Sequence, residues 1–432
     1  MFLKIILYLA LFLPAMPKIQ LFKGVTMYPL EFALLISFPY LLVKSTSIKL
    51  CRLLYGLWGL LFITTAISQL EITEAGGILR CIKGVIYVPL IYVGYTLANN
   101  NRFTLKFFLK PFIIASLANL FVLFYMGFSF GNVNIWDSEL IGSGLSNKAF
   151  DIETMKIFKL SGGSHGAWGN YSAMLLTLFL FFFSKKELSK PLLYGVFFCV
   201  LFNLGMSVSR ESLVSIFMIL LFYFKRSFIL RDKSFKLNEK TLLALFCFIA
   251  LASILLIVYK DKLYIIPKIE YTIESIVTSR TLDNNLLLRV NGWRAFAYSL
   301  IDNPWRLLLG YGFNFSNYQF AVSSAAGLHS IFLYATVPES FFVEIFAFGG
   351  IIALYLGYRI WKEFFKTTKK FDKKDGLVFV GFFSGLLIVN IFSGASLFVD
   401  ILYSQVLLLL GVLLNQIKLN KKADQAIKEE TK

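Results

Sequence analysis

The chain has 432 residues, 57% of them hydrophobic and 17% aromatic but only 16% charged, with a mean hydropathy of +0.71. That is too apolar for a soluble globular domain, and apolar runs of roughly 18–25 residues between short charged connectors fit a polytopic membrane protein. A net charge of +18 does not signal nucleic acid, because the lysines and arginines fall in the connectors, where cytoplasmic retention accounts for them.

Four cysteines, Cys51, Cys81, Cys199 and Cys247, lie in or beside apolar runs without paired spacing. The only histidines are His165 and His329. Neither a disulfide framework, a metal site nor another cofactor is expected.

In chain order, the apolar start from Phe2 to Met16 has no small-residue cleavage pattern after it and reads as a retained first span. Further spans are predicted near 26–43, 52–68, 79–98, 104–127, 170–184, 191–208, 211–229, 241–259, 339–361, 376–394 and 398–416, about twelve in all. One set of connectors holds Lys44, Lys49, Arg52, Lys185, Lys186, Arg226, Lys366, Lys369 and Lys370, and the other holds Glu71, Glu74, Asp137 and Glu139. This asymmetry places both termini in the cytoplasm.

Two connectors on the opposite side are too long for turns, one at about 128–169 and one at 260–338. The second carries Trp293, Trp305, Tyr311 and Phe313 and is expected to form a partly helical cap. The predicted organisation is therefore an all-α polytopic protein. Residues 1–259 hold helices one to nine, 260–338 the large external loop, 339–416 the last three helices and 417–432 a basic cytoplasmic tail. No internal repeat is visible and the span interiors read as free of charge, which counts against a secondary transporter.

The candidate chemistry gathers from Leu286 to Ala353. Arg289 and Trp293 are four apart and share a helix face with Arg294 nearby; Asn303-Pro304-Trp305-Arg306 and Gly310-Tyr311-Gly312 follow. Such arginines either present a fork of donors to a phosphate or snorkel to lipid headgroups. His329 is either a base for a sugar hydroxyl or a capping residue. Pro338-Glu339-Ser340 opens the next predicted span, where proline and an acid suit the first turn; Glu339 is the second candidate base. Arg210 stands in the short turn SVSRES, either as a functional cation near the bilayer or in an ion pair with Glu211. Arg80 and Lys83 lie one turn apart in the fourth predicted span, lining a path for an anion or snorkelling; His165 belongs to a loop near the same mouth.

The SVSRES turn, the Arg-x-x-x-Trp, Asn-Pro and Gly-Tyr-Gly series and the helix ESFFVEIFAFGGIIAL resemble, in that order, the O-antigen ligase and polymerase superfamily of bacterial envelope glycan assembly. The resemblance implies a GT-C-like fold and metal-independent glycosyl transfer at the outer face of the inner membrane. Undecaprenyl-pyrophosphate-linked oligosaccharides are the implied donor and acceptor, with membrane lipid and a chain-length regulator as further partners. It also implies pyrophosphate binding by Arg210, Arg289 and Arg294, with His329 or Glu339 as base. Ligases of the superfamily typically carry His, then Asn, Ser or Gln, nine residues, and Gly at the start of this helix. Counting back from Gly350 puts Glu339-Ser340 there instead, a departure that favours a Wzy-type polymerase over a ligase. A flippase or transporter of lipid-linked sugars is the alternative from another class.

Overall fold

Residues 2–16, 19–22, 25–72, 75–98, 104–118, 165–185, 187–207, 210–230, 284–338, 340–371, 376–392 and 400–430 are described by a computed structural model. The predicted span near 241–259, the end of the one near 104–127, most of the 128–169 loop, residues 260–283, Cys247 and Glu339 lie outside them.

Among the described residues the regular structure is helical apart from one short hairpin, in which β1 (Ile19–Phe22) pairs antiparallel with β2 (Val25–Met27). The amino-terminal half holds α1 (Phe2–Phe12), α2 (Pro29–Ser45), α3 (Lys49–Ser68), α4 (Ala75–Tyr87), α5 (Leu90–Ala98), α6 (His165–Lys185), α7 (Lys190–Ser207) and α8 (Arg210–Leu230). The remainder holds α9 (Asn284–Asp302), α10 (Arg306–Leu309), α11 (Phe315–Leu328), α12 (Phe341–Phe371), α13 (Leu377–Phe392) and α14 (Asp400–Glu430). Among the described residues four stretches could, by length and composition, cross a membrane: α3, α4 with α5 as Gly76–Ala98, α12, and Leu402–Asn420 within α14. Helices suit such sequences because each satisfies its own peptide groups.

α12 departs from the single span expected over 339–361. Gly350 inside it is left-handed, at φ 65° and ψ −165°, and the chain folds back there. The rings of Phe341 and Trp361 have centroids 6.3 Å apart, whereas a straight helix would separate these residues by about 30 Å. Likewise Cδ1 of Ile345 lies 3.2 Å from where a Cβ on Gly357 would stand. Residues 341–349 therefore form a short arm, about 13 Å long, packed antiparallel on residues 351–371, about 31 Å long. The long arm can cross a bilayer by itself. The short arm is a half-helix folded back on the long one.

α3 runs beside the long arm in the opposite direction. Lys49 pairs with Glu363 at 2.5 Å near one end, and the Thr64 hydroxyl donates to the Phe348 carbonyl at 2.9 Å near the other. Trp58 of α3 is buried, donates to the Tyr403 hydroxyl at 2.8 Å and stacks on Phe313 with centroids 6.0 Å apart. α9 and α11 pair through Phe296 and Tyr318, and Phe296 also meets Phe346 of the short arm at 5.6 Å. Residues 329–338 are stitched to α9. Asn291 donates to the Phe332 and Leu333 carbonyls at 3.0 and 3.1 Å, the Ala335 N–H to Leu288 at 2.8 Å, and the Trp293 indole to Pro338 at 2.9 Å. The partly helical character expected of the 260–338 segment is met among the described residues by Asn284–Asp302, Arg306–Leu309 and Phe315–Leu328.

Candidate functional site

A helix that stops inside a bundle leaves the carbonyls of its last turn without intrahelical partners. At the Gly350 break, the Gly310-Tyr311-Gly312 loop supplies them. The Tyr311 and Gly312 N–H groups donate to the Ala347 and Phe348 carbonyls at 2.6 and 3.0 Å. A Cβ on Gly310 would stand 2.6 Å from the Ala347 oxygen, and its φ is 66°, so the close approach depends on glycine. The Phe313 N–H then donates to the Thr65 hydroxyl at 2.8 Å. The loop is thereby wedged between α3 and the short arm.

Two ion pairs come from adjacent turns of α4, and they differ in kind. Lys83 meets Glu31 at 3.1 Å, and the oxygens of this buried carboxylate also accept from the Tyr87 hydroxyl at 3.0 Å and the Tyr28 N–H at 2.8 Å. Every oxygen there is engaged, and the pair has a complete structural explanation. Arg80 donates to Glu344 Oε1 at 2.5 Å while its guanidinium lies 4.7 Å over Phe313 and 5.7 Å over Phe315. Its side chain remains 31% exposed. Glu344, one turn into the short arm, is buried, and its Oε2 has no hydrogen-bond partner. A buried acceptor left over beside a half-exposed cation calls for a reason beyond packing.

Arg306 ties the cap to α3. It is buried, donates to Glu71 and, at 2.9 Å, to the Gly310 carbonyl, and lies 3.7 Å over Trp305 and 4.7 Å over Tyr311. Glu71 also accepts from Asn317 at 3.1 Å, and Asn317 donates to the Ser68 hydroxyl at 2.7 Å. Asn314 caps α11 by accepting from the Asn317 N–H at 3.1 Å. The Tyr311 hydroxyl donates to Ser299 at 3.1 Å. Burial pushes this phenol above its usual range, with the Ser299 contact opposing the shift. Arg306→Lys removes the planar fork and its stacking, and is expected to lower stability by about 1–3 kcal/mol. Thermal unfolding of the purified chain in detergent checks this, and an unchanged transition would contradict it.

The residues singled out from sequence are distributed as follows. Arg289 is half-buried and donates to the Phe392 carbonyl at 2.5 Å. Two residues earlier in that helix, the Asn390 carbonyl accepts from Ser340 at 3.4 Å; Glu344, one turn past Ser340, holds Arg80. The short arm therefore links the neighbourhoods of Arg289 and Arg80. Arg294 is exposed. His329 is exposed, stands at the carboxyl end of α11 and stacks on Tyr298 with centroids 3.9 Å apart. Arg210 and His165 open α8 and α6, but their side chains, like the whole of Glu339, lie outside the described residues.

Sequence reasoning missed Glu344 as the partner of Arg80 and Glu71 as the partner of Arg306. An acid inside an apolar helical run was the available signal. The expectation that span interiors are free of charge is also corrected: Glu31 and Glu344 are both buried within apolar helices, each held by a cation from α4. Among the described residues no three His, Cys, Asp or Glu side chains gather closely enough to hold a metal ion. No protein-family model matches the chain, and no characterised protein matches it either.

Proposed function

We propose that the chain is a polysaccharide polymerase of about twelve spans in the bacterial inner membrane, with both termini cytoplasmic, joining undecaprenyl-pyrophosphate-linked repeat units at the periplasmic face. The observation that carries the reading is the Arg80–Glu344 pair beside the aromatic cap: a half-exposed guanidinium positioned by a buried carboxylate and two phenylalanine rings. A guanidinium so held offers several donors to a pyrophosphate without reorganising.

In the reaction, an acceptor hydroxyl oxygen attacks the anomeric carbon of the donor glycan. The bond from that carbon to the pyrophosphate oxygen breaks, and undecaprenyl pyrophosphate leaves with the electron pair. Arg80 and Arg289, flanking the short arm, stabilise the charge growing on the leaving group, with Arg210 and Arg294 as further contributors. The hydroxyl proton passes to a base, His329 or Glu339. Glu344 acts through Arg80 and is a positioning residue.

Removal of the gene tests the reading through the surface-polysaccharide ladder. Loss of long chains with a single repeat unit still attached is the expected result. Absence of any attached repeat would overturn it in favour of a ligase or a transporter. The transporter is a genuine second reading because a broken helix and charges buried in apolar helices are features of transport sites.

A further inference from the structure

The fold-back at Gly350 leaves part of the long arm uncovered. The start of the short arm, Phe341, lies against Trp361, so residues 362–371, about 15 Å of one face, continue past it. A groove of about 640 Å³ occupies this face, a size typical of ligand clefts. Its walls are apolar and aromatic: Phe342 of the short arm, Tyr358, Trp361 and Phe365 of the long arm, and Leu387 of α13.

Cations run along the groove from the level of Trp361 onward. Lys362, Lys366, Lys369 and Lys370 line it, and all four are exposed. Lys366 lies 3.9 Å from Glu363, a carboxylate already paired with Lys49. Among the described residues Lys362, Lys369 and Lys370 have no ion-pair partner. A second observation points inward: Trp361 is 3% exposed, lines the groove, and its indole N–H has no hydrogen-bond partner. An apolar and aromatic groove flanked by unpaired lysines and holding a spare buried donor matches one occupant by shape and charge.

We propose that the groove beneath the short arm binds an anionic phospholipid from the leaflet at the lysine-rich end. An acyl chain lies along Phe342, Trp361 and Phe365, the indole N–H donates to an ester or phosphate oxygen, and the phosphate is held by Lys362, Lys369 and Lys370. This site is separate from the Arg80–Glu344 pair and does not depend on polymerase activity; it rests on the reading of α12 as membrane-embedded.

The test uses the full chain, purified in detergent and exchanged into equimolar phosphatidylglycerol and phosphatidylcholine, with retained lipid counted by native mass spectrometry. The wild type is expected to retain phosphatidylglycerol with a several-fold preference, and K362Q/K369Q/K370Q, which alters only exposed side chains, to bring the ratio close to one. W361F, which keeps an aromatic ring but loses the N–H, should weaken retention and remove the Trp361 share of the quenching of tryptophan fluorescence by phosphatidylglycerol brominated on its acyl chain. Equal retention of both lipids by the wild type, or an undiminished preference in the triple lysine variant, overturns the site. Recovery of the chain in the soluble fraction of cells would overturn both the site and the membrane placement beneath it.

Discussion

Gly350→Ala is expected to destabilise the folded chain by about 3–5 kcal/mol, at the far end of what single substitutions do. The conformation of Gly350, φ 65° and ψ −165°, is one that essentially only glycine adopts, and it costs a residue with a Cβ about 1–3 kcal/mol. Here the added carbon would also overlap the Leu308 carbonyl. Relief of that clash has to move α10 away from the turn, and with it the Gly310-Tyr311-Gly312 loop whose N–H groups satisfy Ala347 and Phe348. Each buried carbonyl so released adds about 1–3 kcal/mol. A fall in the thermal unfolding transition of the detergent-solubilised protein, together with protease cleavage between residues 304 and 338, is the expected signature. Wild-type stability of Gly350→Ala would contradict the fold-back and favour one continuous helix over residues 341–371.

Arg80→Gln has the second large effect, and it divides into two parts. Losing the cation leaves Glu344 buried without a charged partner; for a wholly buried pair that costs roughly 3–5 kcal/mol, and the partial exposure of Arg80 reduces the figure to about 2 kcal/mol. Activity is expected to fall by about 10²–10³-fold, as for the loss of one preorganised donor to a developing charge. The double variant Arg80→Gln/Glu344→Gln separates the parts, because it removes the orphaned carboxylate as well. Its stability should recover towards wild type while activity stays low. Recovery of both would make the pair structural only, like Lys83–Glu31.

Much of this architecture was legible in the sequence, and the failures have physical reasons. Apolar runs predicted α3, α6, α7, α8 and α13 to within a few residues, because hydrophobic length is the dominant constraint on such helices. The same measure misread residues 339–361. Hydropathy cannot distinguish one long helix from two arms folded on each other, since both are apolar throughout. Gly349-Gly350 is visible in the sequence, but the turn at Gly350 depends on Leu308 and Gly310, about forty residues earlier. Arg80 reads as a cation within a span, yet its partner is not legible, because Glu344 lies 264 positions away and proximity there is set by tertiary packing. His329 illustrates another limit: the sequence leaves a base and a capping residue open, and its place at the end of α11, stacked on Tyr298, is compatible with both.

The pyrophosphate proposal is tested most directly by reconstituting the purified chain in vesicles with a single lipid-linked repeat unit as the only glycan. Glycans of two, three and more repeats on undecaprenyl pyrophosphate, with release of one undecaprenyl pyrophosphate per bond formed, are the predicted products, and Arg80→Gln/Glu344→Gln should leave the starting material unextended. Movement of the lipid-linked unit across the bilayer with no glycan longer than one repeat would contradict the polymerase and establish transport in its place.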